Sequence, residues 1–136
     1  MRKLLLIIPL TVLIIGCAED PILGTWERVE DEAAGSIVQV EVVGSSYHGR
    51  LIEPSGILEF LGFAVDDIKW RDIQPVGPNK WKGKDLIKMI DRDAKITSVE
   101  YKDVYFTLLG DGILEVRKFA REQELVGTVQ KWRRVE

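Results

Sequence analysis

The chain has 136 residues, with 19 lysine and arginine residues against 22 aspartate and glutamate residues, one cysteine and one histidine. This length fits one ordinary domain, and the net charge of −3 argues against a nucleic-acid-binding protein, which usually carries an excess of basic residues. The single cysteine and single histidine exclude an intramolecular disulfide and a multi-cysteine or two-histidine metal site. We expect a non-catalytic protein without a cofactor.

The N-terminus has the pattern of an export signal. Arg2 and Lys3 precede residues 4–15, in which only Pro9 and Thr11 are not strongly apolar. Twelve helical residues span about 18 Å, whereas a bilayer's hydrocarbon core is about 30 Å thick. The pattern therefore predicts a signal peptide and not a membrane-spanning helix, with a buried apolar strand as the alternative.

Residues 13–17, LIIGC, resemble the lipobox of bacterial lipoproteins. The resemblance implies that residues 1–16 are removed and that Cys17 becomes the first residue, carrying a thioether-linked diacylglycerol and usually a third, amide-linked chain. Two or more acyl chains hold a protein stably on a membrane, whereas one does not. Because Ala18 follows Cys17, the sorting rule of enterobacteria predicts the outer membrane, with the domain facing the periplasm. An ordinary secretory signal is the alternative.

Signal removal would leave a mature chain of 120 residues, which is 136 less 16. Arg2 and Lys3 leave with the signal and no acidic residue does, so the charge changes from −3 to −5. Residues 17–23 are the predicted acylated cysteine and tether, in which six residues after the cysteine reach at most about 20 Å. Residues 24–136 are the predicted single domain, which is large enough for one hydrophobic core.

Period-two alternation of apolar and polar residues recurs from Gly24 onward and predicts an all-β domain. Polar turns separate the alternating runs, and the pair of Asp111 and Gly112 is a strong hairpin signal. About eight antiparallel strands in hairpin order favour a small up-and-down, lipocalin-like β-barrel, with a β-sandwich as the alternative. The predicted strands cover residues 24–29, 36–43, 47–52, 67–73, 81–90, 96–109, 113–117 and 126–135.

Strand alternation also predicts which side chains point inward. In the fourth predicted strand, Ile68 and Trp70 share one face, and Lys69 and Arg71 share the other. The proline and glycine residues within 75–78 predict that this strand has already ended before them.

Two stretches depart from the strand pattern. Residues 54–66 have apolar side chains at helical spacings, which predicts a short amphipathic helix or a hydrophobic loop, and residues 118–125 are compatible with one helical turn. The first stretch has two interpretations: a core plug at one barrel end, or an exposed surface for an apolar ligand or partner. The candidate surface comprises Ile57, Leu58, Phe60, Leu61 and Phe63, together with Tyr47 and Trp70 on the strands.

Gly24 and Trp26 resemble the G-x-W opening of calycin barrels, the lipocalins and their relatives. In those barrels an arginine of the last strand covers the tryptophan, and the resemblance implies this structural role for Arg134. Alternation favours Arg134 over Arg133. More narrowly, the chain resembles DUF2147, a family of small secreted bacterial proteins of unknown function, but lacks the mid-chain cysteine pair of that family. Further matching residues are Tyr47, Gly49, Trp81, Gly83, Gly127, Gln130, Trp132 and Val135.

Other candidate sites have ordinary structural interpretations. His48 is predicted on the outer face of a hairpin, and residues 91–93 lack the remaining ligands of a calcium loop and predict a turn. Lys80, Lys82 and Lys84 share one strand face, which is either a solvated barrel exterior or a basic stripe for lipid phosphates or acidic glycans.

Two functions remain. The protein is either a module that binds a small apolar or amphipathic ligand inside the barrel, or a structural lipoprotein with a filled barrel that contacts another envelope protein. An apolar cavity of about 300 Å³ or more would favour the first function, and a solid barrel would favour the second.

Overall fold

The computed structural model describes residues 19–118 and 129–136. It is a closed barrel in which each antiparallel strand pairs with the next one along the chain and β8 pairs with β1. The elements are β1 (Gly24–Val29), β2 (Ile37–Val43), β3 (Ser46–Glu53), α1 (Ile57–Phe60), β4 (Ile68–Gly77), β5 (Lys80–Ile90), β6 (Ile96–Leu108), β7 (Ile113–Lys118) and β8 (Gln130–Val135). The up-and-down barrel is confirmed, and the β-sandwich is wrong because the sheet closes on itself.

The structure corrects one strand boundary. β4 continues through Pro75 to Gly77, so residues 75–78 do not end the strand where the sequence predicts. Pro75 lies near the end of β4, where the register with β5 shifts, and a proline is tolerated at such an irregular strand end. Residues 119–125 of the predicted helical turn and residues 126–128 of the predicted last strand lie outside the described residues.

A β-bulge explains why strict alternation fails in β4. Gly49 pairs with Trp70 and Arg50 pairs with Ile68, so Lys69 is one extra residue against β3. Lys69 and Trp70 are both buried, and the prediction that Lys69 lies on the outer face is wrong.

A second irregularity follows in the same strand. β4 has one extra residue between Arg71 and Gln74, and Asp72 adopts a φ of 54°. Arg71 and Asp72 are therefore both exposed, and Ile73 returns to the interior.

Tryptophan side chains fill the barrel. Trp26, Trp70, Trp81 and Trp132 are all at most 2% exposed. The ring of Trp70 meets the rings of Phe106 and Trp132 edge to face, with centroids 5.1 and 4.8 Å apart. The aliphatic core around them comprises Val38, Val40, Leu51, Ile73, Leu86, Val104, Leu114 and Val116.

Glycine positions show how tightly this interior is packed. A Cβ atom added to Gly49 would lie 2.7 Å from the Trp70 ring and 2.8 Å from Val38, and one added to Gly83 would lie 3.2 Å from Phe106. Gly49 is thus required because the indole of Trp70 occupies the space that a side chain would need.

The barrel has two different ends. The first, which we name the tether end, carries the hairpins at residues 44–45, 78–79 and 109–112, and the chain enters the barrel there at Gly24. The second, which we name the distal end, carries residues 54–67, which include α1, and the turn at residues 91–95. No helix within the described ranges is long and apolar enough to span a bilayer.

Candidate functional site

Residues 20–23, just before β1, are fixed to the tether end. The Asp20 carboxylate accepts hydrogen bonds from the Tyr47 hydroxyl at 3.0 Å and from the Trp81 indole N–H at 3.2 Å. Ile22 is fully buried in the core. Burial, and next the hydrogen bond to Asp20, raise the pKa of Tyr47, so Tyr47 remains the donor in this contact.

Trp26 and Arg134 close the same end. The Arg134 guanidinium lies over the Trp26 ring, 4.4 Å from its centroid, and the two residues are direct partners in the β1–β8 pairing. The guanidinium also donates to the carbonyl oxygens of Leu23, at 2.8 Å, and Pro21, while the Trp26 N–H donates to Ile22 O at 2.9 Å. This pair therefore holds the tether as well as covering the core.

These contacts shorten the predicted tether. Asp20 to Leu23 belong to the folded domain, because their backbone carbonyls and side chains bond to the barrel. Cys17, the predicted acylation site, lies outside the described residues, three positions before Asp20.

The helical segment, residues 54–67, covers the distal end. Leu58 and Phe63 are each only 6% exposed, and Ile57 and Leu61 pack partly against the same core. The Lys88 ammonium group fastens the segment to β5 by donating to Gly62 O at 3.0 Å and to the Asp67 carboxylate at 2.8 Å.

A buried chain of polar groups lies beneath this segment. Lys69 is 2% exposed and donates to the Asp85 carboxylate, which is fully buried, and to Leu86 O at 2.9 Å. Gln130 donates to the other Asp85 oxygen at 3.4 Å and accepts from the Trp132 N–H at 3.3 Å. Burial lowers the pKa of Lys69, and the charge of Asp85 opposes that effect.

Sequence reasoning missed this ion pair. Alternation does place Asp85 on the inward face with Trp81 and Gly83, and an inward acid is a signal that a cation lies nearby. The partner was hidden because the bulge turns Lys69 inward. Two ammonium groups lie near the Phe63 ring, that of Lys69 at 5.1 Å and that of Lys88 at 5.0 Å from its centroid.

The β5–β6 hairpin projects beyond the barrel at the distal end. β4 pairs with β5 only up to Asp85, and β7 pairs with β6 only from Val104, so residues 86–90 and 96–101 pair only with each other. The helical segment lies against this ribbon, since a Cβ atom on Gly62 would lie 3.2 Å from Ile96.

Exposed apolar side chains concentrate at the two ends. Residues 19–118 and 129–136 include nine exposed large apolar side chains. Eight of them lie at the two barrel ends, and the ninth, Tyr105, lies on the barrel wall. Five belong to the helical segment and the ribbon. We name four of them the distal surface: Phe60, Val65, Ile96 and Val99. The fifth, Met89, pairs with Ser98 and lies on the ribbon face opposite to Val99, which pairs with Lys88. The other three, which we name the rim, are at the tether end: Val42, Val43 and Val76.

The structure does not bring the predicted ligand or partner residues together. Phe60 is 64% exposed at the distal end, whereas Tyr47 bonds to Asp20 at the tether end and Trp70 is in the interior. The remaining four, Ile57, Leu58, Leu61 and Phe63, pack on the core, as the plug interpretation of residues 54–66 requires.

The outer wall carries polar contacts between side chains and a groove. His48 and Arg50 both contact the Glu41 carboxylate, each at 2.9 Å. A groove of about 410 Å³ crosses β4, β5 and β6, and its polar lining comprises Asp72, Gln74, Lys82, Lys84, Asp103 and Tyr105.

Residues 91–93 form a turn, in which Asp91 accepts hydrogen bonds from backbone N–H groups. Within the described ranges, no three His, Cys, Asp or Glu residues are grouped so that they could hold a metal ion.

Fold and site define a small antiparallel barrel with a tryptophan-filled interior, with residues 20–23 fixed to one end and a helical segment over the other. The chain matches no protein-family model, no curated protein and no solved structure.

Proposed function

We propose that this protein is a lipid-anchored protein of the bacterial envelope that contacts another envelope protein through the distal surface. The observation that carries the proposal is the combination of a filled barrel with exposed apolar side chains at the end opposite the tether. The anchor is the diacylglyceryl group that the lipobox resemblance implies on Cys17.

The packed interior supports contact at the surface over ligand capture. All four tryptophans and Phe106 are buried, and the Trp70 indole and Val38 leave no room for a Cβ atom at Gly49. The groove lies on the outer wall and not in the barrel interior, and charged side chains such as Asp72, Lys82 and Asp103 stand along it. Binding of a small apolar ligand stays a prediction without support from the barrel interior.

The distal surface has the chemistry of a protein contact. Phe60, Val65 and Val99 each expose more than half of their surface, and large apolar groups concentrated in one region mark interaction sites in soluble domains. The tether enters at the opposite end, so an anchored barrel presents the distal surface away from the membrane.

Membrane fractionation tests the anchor. We expect the wild-type protein to incorporate labelled fatty acid and to sediment with membranes, and Cys17→Ser to lose both properties while the barrel stays folded. Labelling or sedimentation that is unchanged in Cys17→Ser would refute the lipid anchor.

Site-specific photo-crosslinking in living cells tests the distal surface. A benzophenone side chain at Phe60 should give one defined product with an envelope protein, and the same side chain at Tyr105, an exposed aromatic position on the wall, should not. The identified partner, once purified, should bind wild-type protein and lose at least about tenfold in affinity for Phe60→Asp. Equal products at both positions, or equal affinities, would refute the contact.

Native mass spectrometry tests the ligand alternative. Gently purified protein should have the mass of the acylated chain alone. A small molecule that travels with the wild-type protein, and is lost on enlarging an interior residue, would favour the ligand-binding function instead.

A further inference from the structure

At the tether end, the contacts of residues 20–23 limit how far the predicted anchor can lie from the barrel. Asp20 is held by Tyr47 and Trp81, and Ile22 is fully buried, so the chain cannot swing away from the barrel at these residues. Cys17 precedes Asp20 by three residues, which reach about 10 Å at most. Acyl chains on Cys17 would thus begin within about 10 Å of this end of the barrel.

The rim side chains sit on two hairpins of that same end. Val42 is 62% exposed and Val43 is 45% exposed on the β2–β3 hairpin, and Val76 is 48% exposed on the β4–β5 hairpin. Residues 42–46 and 74–79 contain no charged side chain, although 30% of the chain is charged. Uncharged tips with exposed valines can enter a headgroup region without desolvating a charge.

We propose that the rim lies in the bilayer interface, so that the barrel rests on its β2–β3 and β4–β5 hairpins with Val42, Val43 and Val76 among the lipid headgroups and upper acyl chains, and tilts the hairpin that carries Asp111 toward water. This inference rests on the proposed lipid anchor. The occupant is the bilayer and not a protein, because the restricted tether holds these hairpins beside the acyl chains. Lys80, the first charged residue after residues 74–79, is then placed to meet anionic headgroups.

Environment-sensitive labels on single cysteines test the rim contact in the full, lipidated protein. The sulfur of acylated Cys17 is a thioether, so a second cysteine is the one free thiol for a nitrobenzoxadiazole label. Val42→Cys and Val76→Cys report on the rim. Val65→Cys is the matched control, since Val65 is 59% exposed, close to the 62% of Val42, but lies at the distal end.

The labelled proteins are reconstituted into phosphatidylethanolamine and phosphatidylglycerol vesicles, with and without nitroxide-labelled acyl chains. We expect a blue-shifted label and strong nitroxide quenching at positions 42 and 76, and neither at position 65, because interfacial groups lie about 5–10 Å deep. Proteins that float with vesicles but show equal quenching at all three positions would overturn the rim contact and leave the anchor standing. Proteins that do not float with vesicles would overturn the anchor and the rim contact together.

Discussion

Replacing Lys69 by methionine is the sharpest test of how the distal end is held together. The substitution keeps most of the side-chain length and removes the ammonium group that faces Asp85. Asp85 is fully buried, so its carboxylate would lose its cation without gaining water. Gln130, at 3.4 Å, is a weak substitute, because it is neutral and its hydrogen bond is long.

The expected loss of folding stability in Lys69→Met is large for a single substitution. Removing one partner of a buried ion pair costs about 3–5 kcal/mol, because the other charge stays buried and unpaired. A domain of this size is stable by about 5–15 kcal/mol, so Lys69→Met should remain folded at 25 °C but with a much smaller margin. Combining it with Asp85→Leu removes the stranded charge, and the double variant should be more stable than Lys69→Met alone by about 1–3 kcal/mol.

Urea unfolding followed by tryptophan fluorescence measures these differences, since all four indoles are buried in the fold. With a slope of about 2 kcal/mol per molar urea, Lys69→Met should lower the midpoint by about 2 M. The matched control is Lys84→Met, whose ion pair with Asp103 is exposed on the outer wall, and which should cost at most about 1 kcal/mol. Equal midpoints for Lys69→Met and Lys84→Met would refute the reasoning.

Three further changes test the core, the packing and the wall. Trp26→Ala should lower the free energy of unfolding, measured by thermal unfolding, by about 3–5 kcal/mol, because removal of a fully buried indole leaves a cavity. A melting temperature that barely changes would contradict the role of Trp26 as a core residue. Gly49→Ala should lower the free energy of unfolding by about 1–3 kcal/mol, because the new Cβ atom would overlap the Trp70 indole. The control Gly110→Ala, where the added Cβ atom meets open space, should change it by at most about 0.5 kcal/mol. Equal losses for the two variants would argue against a packed interior. Hydrogen bonding by Arg50, and next by His48, lowers the pKa of Glu41 below its ordinary 4.5, so its contribution to stability is present above that pH and is lost as the pH falls through the lowered value. The stability gap between wild type and Glu41→Gln should accordingly narrow between pH 7 and pH 3, and a constant gap would refute the link.

Local pattern was enough to predict the architecture of this chain. The alternation of Val38 and Val40 with polar neighbours, and the turn at Asp111 and Gly112, depend on residues close in sequence, and both correspond to observed strands and turns. Hairpin order then leads to a barrel, because each strand pairs with its sequence neighbour.

The alternation pattern could not predict the long-range contacts or the β-bulges. The bond between Asp20 and Trp81 joins residues 61 positions apart, so no pattern around Asp20 reveals that the tether is fixed. Lys69 turns inward because one extra residue enters β4, and such a bulge puts two neighbouring residues, Lys69 and Trp70, on the same side of the strand. Both features required pairing information that alternation does not contain.

The two ends of the barrel decide which kind of function the fold can support. A barrel that captures a ligand needs an open mouth, but here Ile22 and the Trp26–Arg134 pair occupy one end and Phe63 with the Lys69–Asp85 pair occupies the other. An apolar ligand would have to displace buried aromatic groups and expose a buried ion pair, which are among the costliest changes in a folded domain. Contact through the outer surfaces requires neither change, and this difference in cost is the reason why we propose contact at the surface as the function.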